Sequence, residues 1–107
     1  MTWTKISDEF YDDPDVEDAG NAAIGAFVRM LAYCNRQLTD GHVSAKRAKH
    51  IATKRELARL EEVGFIEPNG DGWNIPKFLD YNPSREKVLA ERERSRERMA
   101  KLRGKLR

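Results

Sequence analysis

The chain has 107 residues, of which 36% are charged and 39% hydrophobic, with a mean hydropathy of −0.78. That size and balance indicate one domain with a small core under a charged surface, because ordinary globular chains are only about 25% charged. A membrane-spanning helix is excluded: the longest apolar run, residues 22–28, contains Gly25 and falls far short of the roughly 20 residues a span needs.

The single cysteine, Cys34, excludes an intrachain disulfide, and with only His42 and His50 available there is no structural zinc set. The start Met1-Thr2-Trp3-Thr4-Lys5-Ile6-Ser7 has no long apolar segment and the chain turns acidic after it, so no signal peptide is expected, and a cytosolic bacterial, viral or nuclear setting is. The net charge of +2 conceals a strong polarity. Residues 1–20 hold seven acids against Lys5, a net of −6; residues 21–83 hold nine bases against seven acids, a net of +2; residues 84–107 hold ten bases against four acids, a net of +6. The expected division follows: an acidic N-terminal arm (1–20), a central domain (21–83) and a basic C-terminal helix (84–107).

In the arm, Trp3, Ile6 and Phe10 have helical spacing, so a short helix or ordered segment is expected to dock its aromatics on the core, with Pro14 ending it. Asn21 is a good N-cap for the next helix. Over residues 22–37 the side chains Ile24, Phe27, Val28, Leu31 and Cys34, continued by Leu38, form one apolar stripe, which makes Cys34 a core residue. Thr39-Asp40-Gly41 is a turn, and His42-Val43 a brief strand. Ser44 caps a helix over 45–51, with Ala45, Ala48, Ile51 and Ala52 inward. Thr53-Lys54-Arg55-Glu56 is a capping box that opens a helix running to Val63, with Gly64 just past its end. Residues 65–67 read as a strand, 68–72 as a hairpin loop and 73–75 as the returning strand, which Pro76 ends. Phe78-Leu79-Asp80-Tyr81 is expected to cover the core, Asn82-Pro83 to break the chain, and Ser84 to cap a last helix beginning at Arg85. This order is that of an α+β winged helix-turn-helix with an N-terminal arm and a long basic C-terminal helix.

No catalytic constellation emerges. There is no glycine-rich phosphate loop, neither histidine neighbours a nucleophile in sequence, and Asp12-Asp13-Pro14-Asp15 lacks the order of a calcium loop. The expectation is a protein that is not an enzyme and holds no cofactor or metal.

The helix over 54–63 carries the functional argument. At about 100° per residue with Leu57 at 0°, Leu60 and Val63 fall near 300° and 240° and face the core, while Arg55, Ala58, Arg59 and Glu62 lie opposite at roughly 100–200°. Arg55 and Arg59, one turn apart and flanked by Lys54, suit bidentate bonding to guanine edges, and Lys46, Arg47 and Lys49 on the preceding helix suit phosphates. Glu62 on the same face opposes this, and Asn69-Gly70-Asp71-Gly72 offers a wing with no base. Trp73 at its foot is expected to pack.

The affinity the wing lacks falls to the tail, where Arg92, Arg94, Arg96 and Arg98 would bind phosphates in a salt-dependent way. In a heptad frame Val88, Ser95 and Leu102 share one position and Arg92, Met99 and Leu106 the other. Two polar residues among these six sites leave a coiled coil weak by itself, ordered by DNA, by a partner or by self-association.

Residues 31–43 (LAYCNRQLTDGHV), 60–66 (LEEVGFI) and 74–85 (NIPKFLDYNPSR) resemble small winged-helix proteins of actinobacteria and their phages. These are in turn similar to the N-terminal domain of phage replisome organisers and DnaD-type replication initiation proteins. The resemblance covers roughly residues 3–90. It implies double-stranded DNA binding in replication initiation or transcriptional regulation, in the cytoplasm of a bacterial host cell, often with self-association through this domain. Such proteins commonly continue into a second domain where this chain has a basic helix, so helicase loading is not implied. Two alternatives stay open: a protein-interaction adaptor whose winged helix and tail bind a host protein, and a recombination directionality factor. The expected partners are double-stranded DNA, a second copy through the C-terminal helix, and a host replication or transcription protein; no membrane is expected.

Overall fold

Two side chains shape the arm of this protein, whose computed structural model describes residues 3–106. Met1 and Thr2 of the expected arm and Arg107 of the expected tail lie outside the described residues. Ser7 accepts the N–H of Glu9 and starts a single 3-10 turn, Asp8–Asp12. Asp13 Oδ1 accepts from the N–H groups of Asp15 and Val16 at 2.8 and 3.4 Å and starts helix α1, Pro14–Ala19. The 3-10 turn stops just short of Pro14, as expected, and Pro14 also opens a second helix that the apolar spacing does not predict. At the first helical position its missing N–H leaves nothing unsatisfied and its fixed φ suits the helix. Asn21 is not a cap: Gly20 holds that position with φ 85°, and Asn21 is the first residue of α2, Asn21–Gln37. The arm's side chains do not dock as expected, since Trp3, Tyr11 and Ile6 are 76%, 80% and 47% exposed and only Phe10 packs against the core.

α2 buries Ala23, Ala26, Phe27, Met30, Leu31 and Cys34. The stripe is turned slightly from its expected line, with Ile24 and Val28 half-buried at its margin. Leu38 ends the helix in the left-handed region and Asp40 repeats that conformation, so residues 38–41 form a tight corner. Strand β1 (His42–Ser44), α3 (Ala45–Ile51) and α4 (Lys54–Val63) follow as the sequence indicates. Ser44 Oγ accepts the N–H of Arg47 at 3.2 Å. The capping box is complete, with Glu56 N–H to Thr53 Oγ1 at 3.1 Å and Thr53 N–H to Glu56 Oε1 at 2.9 Å. β2 (Glu67–Asn69) begins two residues later than expected and β3 (Gly72–Asn74) one residue earlier. The hairpin thus closes through Gly70-Asp71 alone, and the broad loop expected at 68–72 is mostly strand.

The sheet is antiparallel in the order β1-β3-β2. Pro68 is tolerated because β2 is an edge strand. Gly72 pairs with Ser44, and a Cβ there would lie 2.1 Å from the Val43 carbonyl oxygen, so only glycine lets β1 approach. Across the core, Phe27 stacks on Phe65 with centroids 4.9 Å apart, and Met30, Leu60, Val43 and Ile66 are almost fully enclosed. Each such large side chain contributes about 1.5–3 kcal/mol through burial.

α5 (Phe78–Tyr81) covers the core with Phe78 alone; Leu79 and Tyr81 are exposed, contrary to the expected aromatic cover. Buried Asn82 is held by Asn35, whose Nδ2 donates to Asn82 Oδ1 at 3.0 Å and to Thr4 Oγ1 at 3.2 Å. α6 (Arg85–Lys105) starts under Ser84 and under Asp40, whose Oδ1 accepts the Arg85 N–H at 2.6 Å. The expected root contact at Val88-Leu89 falls on half-buried Val88, with Leu89 40% exposed. Every described residue of α6 beyond Val88 is exposed, and the molecule measures 59 × 31 × 20 Å. The fold is α+β, with a small antiparallel sheet, packed helices and a long C-terminal helix, an arrangement consistent with a winged helix. No helix among the described residues is long and apolar enough to cross a membrane.

Candidate nucleic-acid interface

The corner between α3 and α4 is built by backbone capping at both of its edges. Ala52 donates its N–H to Ala48 O and Arg29 Nη1 donates to Ile51 O at 3.3 Å, which closes α3 with a cation at its negative end. Thr53 then opens α4. Lys46, Arg47, Lys49 and His50 of α3 and Lys54 and Arg55 of α4 are all exposed around this corner. Among the described residues, none of Lys46, Arg47, Lys49, Lys54 and Arg55 has an acidic oxygen within 4.0 Å. The Arg47 guanidinium lies 5.6 Å from the Tyr33 ring centroid, a cation–π contact that steadies it beside an open hollow of about 350 Å³ lined also by Ser44, Lys46 and His50. Tyr33 and His50 carry no motif, and sequence reasoning did not select them.

Arg59 departs from expectation. Its guanidinium does not stand clear: Nε donates to the Asp18 carbonyl oxygen at 2.9 Å, Nη2 reaches the Asp18 carboxylate at 3.2 Å, and Nη1 pairs with Glu62 at 3.0 Å. Of the two arginines expected to face a groove, Arg55 alone has no ion-pair or hydrogen-bond partner for its side chain among the described residues. Glu62 is also changed by this, since its charge is directed at Arg59. The Arg59–Glu62 pair was visible at i, i+3 spacing, whereas Asp18 lies 41 residues away and gave no signal.

On the other side of α4 a cleft of about 470 Å³ is lined by Ala52, Leu57, Ala58, Trp73 and the side chains of Lys49 and Lys54. Trp73 Nε1–H donates to Glu61, so this ring is a packed wall of the cleft and not a free platform. The hairpin tip carries Asp71, 3.5 Å from His42 Nε2, while His42 Nδ1 lies 2.7 Å from Asn74 Oδ1. The tip contains no base.

The tail arginines Arg92, Arg94, Arg96 and Arg98 are exposed on α6, away from the α3–α4 packing; Arg96 pairs with Glu93 at 2.6 Å. Cys34 sits in the core with Sγ 3.7 Å from His42 O. Burial pushes its thiol pKa up, and the Thr39 hydroxyl and Gly41 backbone offset only part of that. Among the described residues no group of three or more His, Cys, Asp or Glu side chains is placed to hold a metal ion. No protein-family model matches the chain, and neither a curated protein nor a solved structure matches it.

Proposed function

We propose that the chain is a winged-helix protein that binds double-stranded DNA, presenting the first turn of α4 to the major groove and α3 to the phosphates. One observation carries the reading: a single helix corner gathers Lys46, Arg47, Lys49, Lys54 and Arg55, exposed and without an acidic partner among the described residues. A recognition helix reads bases from its first turns, which is where Arg55 lies. Arg55 is the base reader, Lys54 flanks it, the α3 cations position the backbone, and Arg92, Arg94 and Arg98 add sequence-independent affinity. The resemblance to phage replisome organisers favours replication initiation or transcriptional regulation as the process, in a bacterial cytoplasm. Duplex selection on the purified protein tests this. Six or more phosphate contacts cost roughly a thousandfold in affinity between about 50 and 200 mM salt. A salt-independent affinity, or selection of no duplex at either salt, rejects the proposal.

A second reading is favoured by the cleft beside Trp73 and by a wing that bears acid in place of base: an adaptor that binds a protein there. Binding of that kind survives high salt and is lost in Trp73→Ala.

A further inference from the structure

Averaged over its whole length α6 has almost no apolar side, but four large apolar side chains share one line along it. With Val88 at 0° and about 100° per residue, Met99, Leu102 and Leu106 return to within about 40° of it. Arg92, Arg96 and Arg103 line one side of this stripe at about 40–80°, and Arg98 and Lys105 the other at about 80–100° in the opposite sense. Three of the four acids, Glu86, Glu93 and Glu97, lie on the back at about 140–180°, while Glu91 lies at about 60° on the Arg98–Lys105 flank. The stripe meets the body only at Val88; Met99, Leu102 and Leu106 are 53%, 50% and 78% exposed. A second α6 is a poorer cover than an acidic surface, because both flanks carry a net positive charge despite Glu91 and the Arg96–Glu93 pair.

A complementary surface exists on the same chain. The arm has a net charge of −6 against +6 for residues 84–107. Trp3, Ile6 and Tyr11 stand exposed among Asp8, Glu9 and Asp12, so the arm too joins uncovered apolar side chains to one sign of charge. The two surfaces do not meet within a protomer. Arg59 holds Asp18, Asn35 holds Thr4, and Asp40 fixes the start of an unbroken α6; among the described residues no ion pair joins arm to tail.

We infer that the apolar, arginine-lined face of α6 docks on the acidic arm of a second copy of this chain. This self-association does not depend on DNA, so its failure and the failure of the DNA reading are separable. The arm then competes with phosphates for the same tail cations.

Light scattering and sedimentation without DNA test it. At about 0.1 M salt the wild type associates as its concentration rises, and at about 1 M, where the Debye length falls from roughly 10 to 3 Å, it reverts to 12.3 kDa. Asp12→Lys with Glu17→Lys in the arm, or Arg92→Glu with Arg103→Glu in the tail, each gives a monomer at low salt. None of these four side chains makes a hydrogen bond or ion pair among the described residues, and circular dichroism checks that each variant stays folded. Mixing the two folded variants restores association, since the native arm of the tail variant meets the native tail of the arm variant. A mixture that stays monomeric overturns the inference. So does a wild type that is monomeric at every concentration, or one whose association persists at high salt.

Discussion

The guanidinium of Arg59 closes on both the carbonyl oxygen and the carboxylate of Asp18, fastening α4 to the end of α1 across 41 residues of sequence. Both side chains are partly solvated, Asp18 at 67% and Arg59 at 37%, so the contribution is modest. Replacing Arg59 by methionine keeps the aliphatic stem and removes these bonds. The expected loss is about 0.5–1.5 kcal/mol in urea unfolding. Amide exchange in residues 14–19 accelerates in that variant, and unchanged exchange there contradicts a fastening role.

Under the proposed function, Arg55 and Arg59 have different roles, one toward DNA and one toward the fold. Arg55→Ala weakens binding to a preferred duplex by about 1–3 kcal/mol and blurs its sequence preference, with stability shifted by less than about 0.5 kcal/mol. Arg59→Ala has the reverse profile, a lower unfolding midpoint and a smaller effect on affinity. Titrations of both variants on selected and scrambled duplexes, paired with melting curves, give the comparison. Equal losses of affinity would mean that Arg59 leaves Asp18 when DNA arrives.

Gly72→Ala is the most damaging single methyl group in the sheet. Its Cβ would lie 2.1 Å from Val43 O and 2.8 Å from Ser44 Cα, both backbone atoms with no rotamer to yield. β1 and β3 must part, and the bond from Ala45 N–H to Asp71 O goes with them. A loss of roughly 3 kcal/mol or more is expected, in the range reserved for named steric faults. Thermal melting measures it. A variant within 1 kcal/mol of wild type shows that the hairpin shifts register cheaply.

Cys34 makes stability fall at alkaline pH. Its folded pKa is raised by burial, so the folded state resists losing the proton. Stability is therefore full below the unfolded thiol's value of about 8.5 and declines as pH rises through the higher folded value. In Cys34→Ala this part of the alkaline slope disappears, which urea titrations from pH 7 to 10 reveal. A thiol reagent labels Cys34 slowly in the native protein and quickly once it is unfolded.

Local chemistry made the middle of the fold readable. Ser44 and the Thr53–Glu56 box act within three residues of themselves, and both helices begin where those residues say. In the arm Pro14 both stops the 3-10 turn and starts α1, and the second role rests on Asp13, whose capping carboxylate reads in the sequence only as charge. The α2 stripe was displaced because Ala23 and Ala26 bury as fully as larger residues but weigh little in an apolar pattern. The strands shifted because Gly72 belongs to β3 for reasons that lie on β1. At the site, helical spacing placed Arg55 and Arg59 on a common face, and only the packing of α1 on α4 divides them into a free cation and a bound one.

The capping of α6 by Asp40 has a mechanical consequence. The helix is about 30 Å long at 1.5 Å per residue, and its first N–H is gripped by a side chain from the corner that leads into β1. No glycine lies between Asn82 and the far end of the helix until Gly104. The start of the helix is thus tied both to α5 through the chain and to the Leu38–Asp40 corner through Arg85, so a tilt of the rod would be felt beside the strand from which α3 departs.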